Sequence, residues 1–164
     1  MLLTKALNAV VVTDIPRAKR AARAADRRLK AGKPIEMFGD GSTARDYTYI
    51  DDIVEGVVRV LDKPAAPDAA FDPQHPLPHT GRAPYRIFNI GNSDPVPLMD
   101  FIEAIEASVG MVAQKDFLPL QAGDVTETFA DTHALDAWVG FQPATSVRDG
   151  VGRFVDWYRH YYGR

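Results

Sequence analysis

The pattern of apolar positions changes period several times along the chain, and each change marks an element. From Pro16 to Leu29 the apolar positions are Ala18, Ala21, Ala22, Ala25 and Leu29, with proline in the first turn and Gly32 just past the end. This spacing predicts a helix. Its alanine stripe has good intrinsic propensity but little area to bury, so it is expected to adhere weakly. A short strand follows (Ile35, Met37, Phe38) and runs into the turn Gly39-Asp40-Gly41-Ser42. Asp51 and Asp52 are placed to cap a second helix with Ile53, Val54, Val57, Val58 and Leu61 on one face and Pro64 beyond it.

Residues 64–84 hold six of the twelve prolines, together with His75 and His79, and read as a loop or partly disordered excursion. Arg86 to Ile90 reads as a buried strand ended by Gly91-Asn92. Leu98 to Val109 aligns Phe101, Ile102, Ile105 and Val109 as a helix closed by Gly110. A short strand over 113–118, a loop over 119–124 and a short helix over 132–139 come next. The last helix opens on the capping pair Ser146 and Asp149 and aligns Val147, Val151, Phe154, Val155 and Tyr158. Gly150 and Gly152 inside it each cost about 1 kcal/mol relative to alanine. The sum is an α/β domain with three to five helices around a small mixed or mostly parallel sheet.

Composition narrows the class. At 164 residues with 46% hydrophobic and 25% charged residues, the chain is typical of a soluble globular domain. It has no cysteine, which removes disulfide frameworks and thiolate metal sites and fits a cytoplasmic protein. No apolar run approaches the roughly 20 residues that span a bilayer, and the opening MLLTKALNAVVVTD is too short for a signal peptide. Two histidines in a proline-rich loop without a third ligand do not make a metal site, so none is expected.

The net charge of −3 is unevenly spread: residues 1–33 carry nine Lys/Arg against Asp14 and Asp26, so the remainder is acidic. The division expected is a basic Ala/Arg-rich segment over 1–33 and a ligand-binding domain over 34–164. A basic helix could meet nucleic acid, but without aromatic stacking residues any such binding would be non-specific and salt-dependent. The simpler reading is a solvated helix face.

Four segments in order carry a family resemblance: GKPIEMFGDGSTARDYTYIDDIVEGVVRVLDKP, YRIFNIGNSDPVPLMDFIEAIEASVG, LPLQAGDVTETFAD and GFQPATSVRDGVGRFVDWYRHYY. Together they cover roughly residues 29–162 and resemble the C-terminal part of the extended short-chain dehydrogenases, within them the NAD-dependent nucleotide-sugar epimerases and dehydratases. The Gln121-to-Asp124 run and the aromatic tail look most like UDP-glucuronate 4-epimerases.

The resemblance implies a UDP-sugar site. Backbone groups at Glu36 and Phe38 would meet the uracil edge and Tyr85 would line the base pocket. Arg45 would grip the diphosphate, for which a planar guanidinium is suited because it donates to two oxygens at once. Asp124 would accept from the ribose hydroxyls. Gln121 stands where many relatives carry a phosphate-binding arginine. The competing reading makes Arg45 a fold-stabilising partner of Asp46, Asp51 or Asp52.

The chemistry of such enzymes needs a glycine-rich strand-turn-helix for the NAD pyrophosphate and a Tyr-x-x-x-Lys pair as base. Neither pattern occurs in the sequence. The expectation is therefore a truncated lobe without a complete Rossmann domain, with no catalytic residue and no cofactor of its own, NAD belonging to the parent family. Its partners would be a UDP-sugar and either a second copy in a homodimer or a separate NAD-binding chain that completes a split enzyme. A non-enzymatic interaction module and a relic without selected function are the remaining readings.

Overall fold

The computed structural model describes residues 31–163, and the expected helix over 16–29 lies outside them. The described elements are, in order, β1 (Ile35–Phe38), β2 (Ala44–Arg45), α1 (Ile50–Asp62), β3 (Val96–Pro97), α2 (Leu98–Val109), β4 (Lys115–Leu118), α3 (His133–Val139) and α4 (Val147–Tyr162). The α/β class is as expected, with the strands distributed over two pairs, β1 with β4 and β2 with β3. Contacts divide the described residues into two units, 31–36 with Ala113–Asp116, and Met37–Val112 with 117–163. In the first, Ile35 N–H donates to the Gln114 carbonyl at 2.8 Å. The second holds the remaining elements.

The turn after β1 is a glycine requirement. Gly39 and Gly41 sit at φ 92 and 86, a region that side chains with a Cβ rarely adopt. A Cβ on Gly41 would also lie 2.8 Å from Met99 Cγ. Between them the Asp40 carboxylate accepts from Ser42 Oγ at 2.5 Å and Ser42 N–H at 3.0 Å. Those bonds, the hydroxyl's first, hold its pKa below the ordinary carboxylate value.

Helices α2 and α4 make the core. Ala104 of α2 is buried with Val151 and Val155 of α4, and Phe101, Val109 and Val147 close around them. Each buried valine contributes roughly 1.5–3 kcal/mol relative to an exposed one. Gly110 ends α2 in the left-handed conformation, its N–H donating to the Glu106 carbonyl, and Arg159 Nη2 satisfies the Val109 carbonyl at 2.9 Å. Helix α4 starts as its sequence predicts. Ser146 is the N-cap, accepting from Asp149 N–H at 3.1 Å and donating to Asp149 Oδ2 at 2.7 Å. Gly150 has a packing reason, because a Cβ there would meet the Tyr49 ring at 3.1 Å; Gly152 faces open space.

Helix α1 departs from expectation twice. Its N-cap is Tyr49, the last residue with extended backbone, so Asp51 and Asp52 lie in the first turn and complement the helix dipole instead of capping. Asp52 Oδ2 accepts from Ala144 and Thr145 N–H at 3.2 and 2.9 Å, tying α1 to the approach of α4. The covered side of α1 is also not the stripe read from periodicity. Gly56 is its buried residue, and a Cβ there would touch Ile90 and Phe141 at 3.4 Å. Val54, Val57, Val58 and Leu61 are exposed, Val54 to 52%.

The expected strand over 86–90 is not a regular strand. Arg86 bridges Thr80, and Ile87 N–H donates to His79 at 3.1 Å. Among the described residues no strand lies alongside to extend that bridge into a ladder, and Ile87 is exposed. The preceding loop is folded by its aspartates: Asp68 accepts from Ala70 N–H, and Asp72 from Gln74 N–H and the His75 ring. No helix among the described residues is long and apolar enough to cross a membrane.

Candidate functional site

The two residues of β2 are held on both sides. On one, Ala44 and Arg45 pair antiparallel with Pro97 and Val96. On the other, Ala44 N–H donates to the Thr126 carbonyl at 2.8 Å, and Thr128 N–H returns to the Ala44 carbonyl at 3.3 Å. The segment just after Asp124 is thereby laid along the strand that carries Arg45.

Arg45 and Asp124, 79 positions apart, meet as a result. Arg45 Nη2 donates to Asp124 Oδ1 at 2.8 Å, and Nη1 donates to its own neighbour's carbonyl, Ala44, at 2.9 Å. The expected alternatives for Arg45 (Asp46, Asp51 and Asp52) are not its ion-pair partner; Asp124 is. With side chains 27% and 36% exposed, such a pair contributes about 0–1 kcal/mol, so a stronger anion can displace the carboxylate at small cost.

Gln121 joins through the backbone. Asp124 N–H donates to the Gln121 carbonyl at 3.1 Å, closing a turn whose third residue, Gly123, has φ 86, as a type II turn requires. Phe38 joins through the end of β1. The next residue, Gly39, donates its N–H to Leu118 at 2.8 Å, and a Cβ on it would lie 3.3 Å from Leu120 Cδ1. Phe38, Arg45, Gln121 and Asp124 therefore come from adjoining segments of one unit. Glu36 falls in the other unit. Tyr85 is exposed, its hydroxyl reaching the Pro78 carbonyl at 3.5 Å, within the proline-rich loop.

Sequence reasoning missed Asp46, treating it only as a partner for Arg45. Its Oδ1 accepts from Asn92 N–H at 3.0 Å, and its Oδ2 from Ser93 and Ala130 N–H at 3.1 and 3.0 Å. Its own N–H donates to Thr128 Oγ1 at 3.1 Å. Ser93, held there at φ 55, is the one non-glycine residue with positive φ among the described residues. The Gly91-Asn92 pair, which follows an apolar run, was the available signal: glycine there allows close approach, since a Cβ would lie 2.3 Å from Ala130 Cβ. Tyr47, next in the chain, stacks on Phe101 with centroids 4.2 Å apart. Burial raises its phenol above the ordinary value, partly offset by Arg45.

Helices α1, α2, α3 and α4 are entered through Tyr49, Pro97, Thr132 and Ser146, and none through a glycine-rich turn whose amides could receive a pyrophosphate. The Gly39–Gly41 turn connects two strands. Among the described residues no cluster of three or more His, Asp or Glu is placed to hold a metal ion; His75 is bonded to Asp72 and His133 to Asp131.

Comparison with known proteins shows what the chain is similar to. The model of the NAD dependent epimerase/dehydratase family matches residues 14–91, beginning ahead of the resemblance read from about residue 29. The chain is 46% identical over 128 residues to Protein CapI of Staphylococcus aureus, covering 78% of this chain and 38% of that one. It is 44% identical over 134 residues to a probable UDP-glucuronate 4-epimerase of Rhizobium meliloti, covering 81% and 39%. Its fold matches the UDP-glucuronic acid 4-epimerase of Bacillus cereus, solved with UDP-glucuronic acid and NAD, at a TM-score of 0.64 and 27% identity over 83% of this chain and 38% of that one. By sequence the chain is similar to the NAD dependent epimerase/dehydratase family, and it carries part of that fold. Within the family its likeness is to the UDP-glucuronate 4-epimerases, of whose length it spans about two-fifths.

Proposed function

We propose that residues 34–164 form the nucleotide-sugar-binding part of an epimerase-family protein, taking a UDP-sugar of the UDP-glucuronate kind, and that this chain alone does not epimerise. The observation that carries the reading is the meeting of Arg45 and Asp124 beside the Gln121 turn. Among the described residues two of the guanidinium's N–H groups are used, by Ala44 and Asp124, which leaves others to donate to a diphosphate. Both bonds to the Asp124 carboxylate, from Arg45 and Val125 N–H, fall on Oδ1. Oδ2 is the oxygen a ribose diol would meet. The relatives solved with UDP-glucuronic acid and NAD support the choice of ligand. The absence of a Tyr-x-x-x-Lys pair from the sequence supports the silence of the isolated chain. A cytoplasmic setting goes with this reading.

The test is thermal unfolding with and without millimolar UDP and UDP-glucuronate, beside Arg45→Ala. A ligand at 100 times its Kd adds about 2.7 kcal/mol of stability. The expected result is an upward Tm shift in the native chain that the variant loses. No shift in a well-folded chain would refute the proposal.

A second reading is a split enzyme, completed by a separate NAD-binding chain. The exposed stripe of α1 and the exposed Ile87 favour it, because both are apolar surface of the kind that seats against another lobe. Turnover of UDP-glucuronate on adding the amino-terminal part of the Rhizobium meliloti relative would establish it.

A further inference from the structure

We infer that Asp46 is a positioning residue for the binding pair, setting Arg45 opposite Asp124 without touching the ligand itself. The inference rests on the proposed nucleotide-sugar site and adds to it the residue that builds the site. Arg45 lies between two anchors. On one side the Ala44 backbone is bonded to Thr126 and Thr128. On the other, Asp46 reaches the same segment through its N–H to Thr128 Oγ1 and its carboxylate to Ala130 N–H. Asp124 stands two residues ahead of this segment, so the register of 126–130 along β2 decides whether its carboxylate meets the guanidinium. The Ala44 bonds are backbone bonds. Those of the Asp46 carboxylate are the side-chain control of that register.

The same carboxylate also decides which partner Arg45 has. An Asp adjacent in sequence is a ready competitor for a guanidinium. Here its two oxygens are filled by three backbone N–H donors, from Asn92, Ser93 and Ala130, and charge-assisted bonds of this kind are the stronger class. Arg45 is left to Asp124. The site around the carboxylate is built to closeness: a Cβ on Gly91 would stand 2.8 Å from Asp46 Oδ2. Ser93 Oγ, donating to the Ala130 carbonyl at 2.8 Å, closes the ring of bonds from the other side.

The test compares Asp46→Asn, Asp124→Asn, Arg45→Ala and the double variant Asp46→Asn/Arg45→Ala, with two readouts. The first is the side-chain N–H resonance of Arg45 in nitrogen-15 NMR, where a held guanidinium gives slowed rotation and distinct Nη signals. Asp46→Asn is expected to lose these signals as Asp124→Asn does, although it leaves the Asp124 carboxylate in place. Signals that persist in Asp46→Asn overturn the inference.

The second readout is titration with UDP. Asp46→Asn is expected to weaken binding about tenfold, the loss typical of a hydrogen bond to a charged group. The double variant is expected to bind no more weakly than Arg45→Ala alone, because a residue that acts through Arg45 has nothing left to act on. A merely structural Asp46 would make the two losses multiply, which also overturns the inference. If the native chain fails to bind UDP while the Arg45 signals still depend on Asp46, the nucleotide-sugar reading falls and the positioning relation stands. Should Asp46→Asn not fold, Thr128→Val removes only the acceptor at the exposed end of the node. The Arg45 signals must then weaken for the inference to survive.

Discussion

Helices α2 and α1 carry apolar stripes of similar regularity and meet opposite fates. In α2, Phe101, Ile102 and Val109 turn toward the molecule while Ile105 of the same stripe is exposed, and Ala104 is buried against Val151 and Val155 of α4. In α1 the stripe of Val54, Val57, Val58 and Leu61 is exposed, and the side that packs is the one with Gly56, under Ile90 and Phe141. A hydrophobic period states which face of a helix avoids water. Whether a surface exists to cover it is decided elsewhere, and the relatives of this chain extend well beyond the two-fifths that it matches.

The largest effect that could break this comparison is in the core. Ile102→Ala is expected to lower unfolding free energy by about 2–5 kcal/mol in urea denaturation. Val57→Ser and Leu61→Ser should each stay within about 0.5 kcal/mol. Losses on α1 as large as those on α2 would mean that the stripe is covered in solution. Smaller, but sharper, is the contrast within α4. Gly152→Ala meets open space and should stabilise by about 0.5–1 kcal/mol through helix propensity. Gly150→Ala should reverse the sign, because its methyl would press on a Tyr49 ring already held under Arg153 at 5.4 Å. Equal gains at both positions would show that Tyr49 yields.

The smallest effect lies beside the candidate site. Burial lifts the Tyr47 phenol above its ordinary 10.0, with Arg45 opposing. A folded pKa above the unfolded one gives stability that is complete below about pH 10 and is lost as pH rises through the folded value. Tyr47→Phe should therefore flatten the alkaline limb of the stability curve and leave neutral pH unchanged. An unaltered limb would place the alkaline loss in another group.

Local chemistry explains what could be read in advance. Helix α2 ended at Gly110 and helix α4 began at Ser146 because caps are written within a few residues. The strand at Ile35–Phe38 and its glycine turn were equally local. Helix α1 was expected one cap too late: two aspartates outweighed Tyr49, although extended backbone is what an N-cap needs. The segment over 86–90 had a strand's composition, yet a strand also needs a neighbour, and that is not a property of five residues. For the site, the resemblance singled out Arg45 and Asp124, and the structure brings them together. Their mutual pairing was not legible, since nothing in the adjacent Arg45-Asp46 reveals that backbone amides from two distant turns will occupy Asp46 first.

The long reach of Asp46 also bears on the order in which this chain can assemble. Its bond to Ala130 closes 84 positions, and Arg45 to Asp124 closes 79, whereas the helices need only local turns to begin. Contacts of such separation are entropically costly to close and belong to the slow part of folding. As the chain leaves the ribosome, Arg45 and Asp46 emerge long before their partners. The Arg45–Asp124 pair thus belongs with the late, long-range closures, beside those of Asp52 to Ala144 and Thr145, which span 92 and 93 positions.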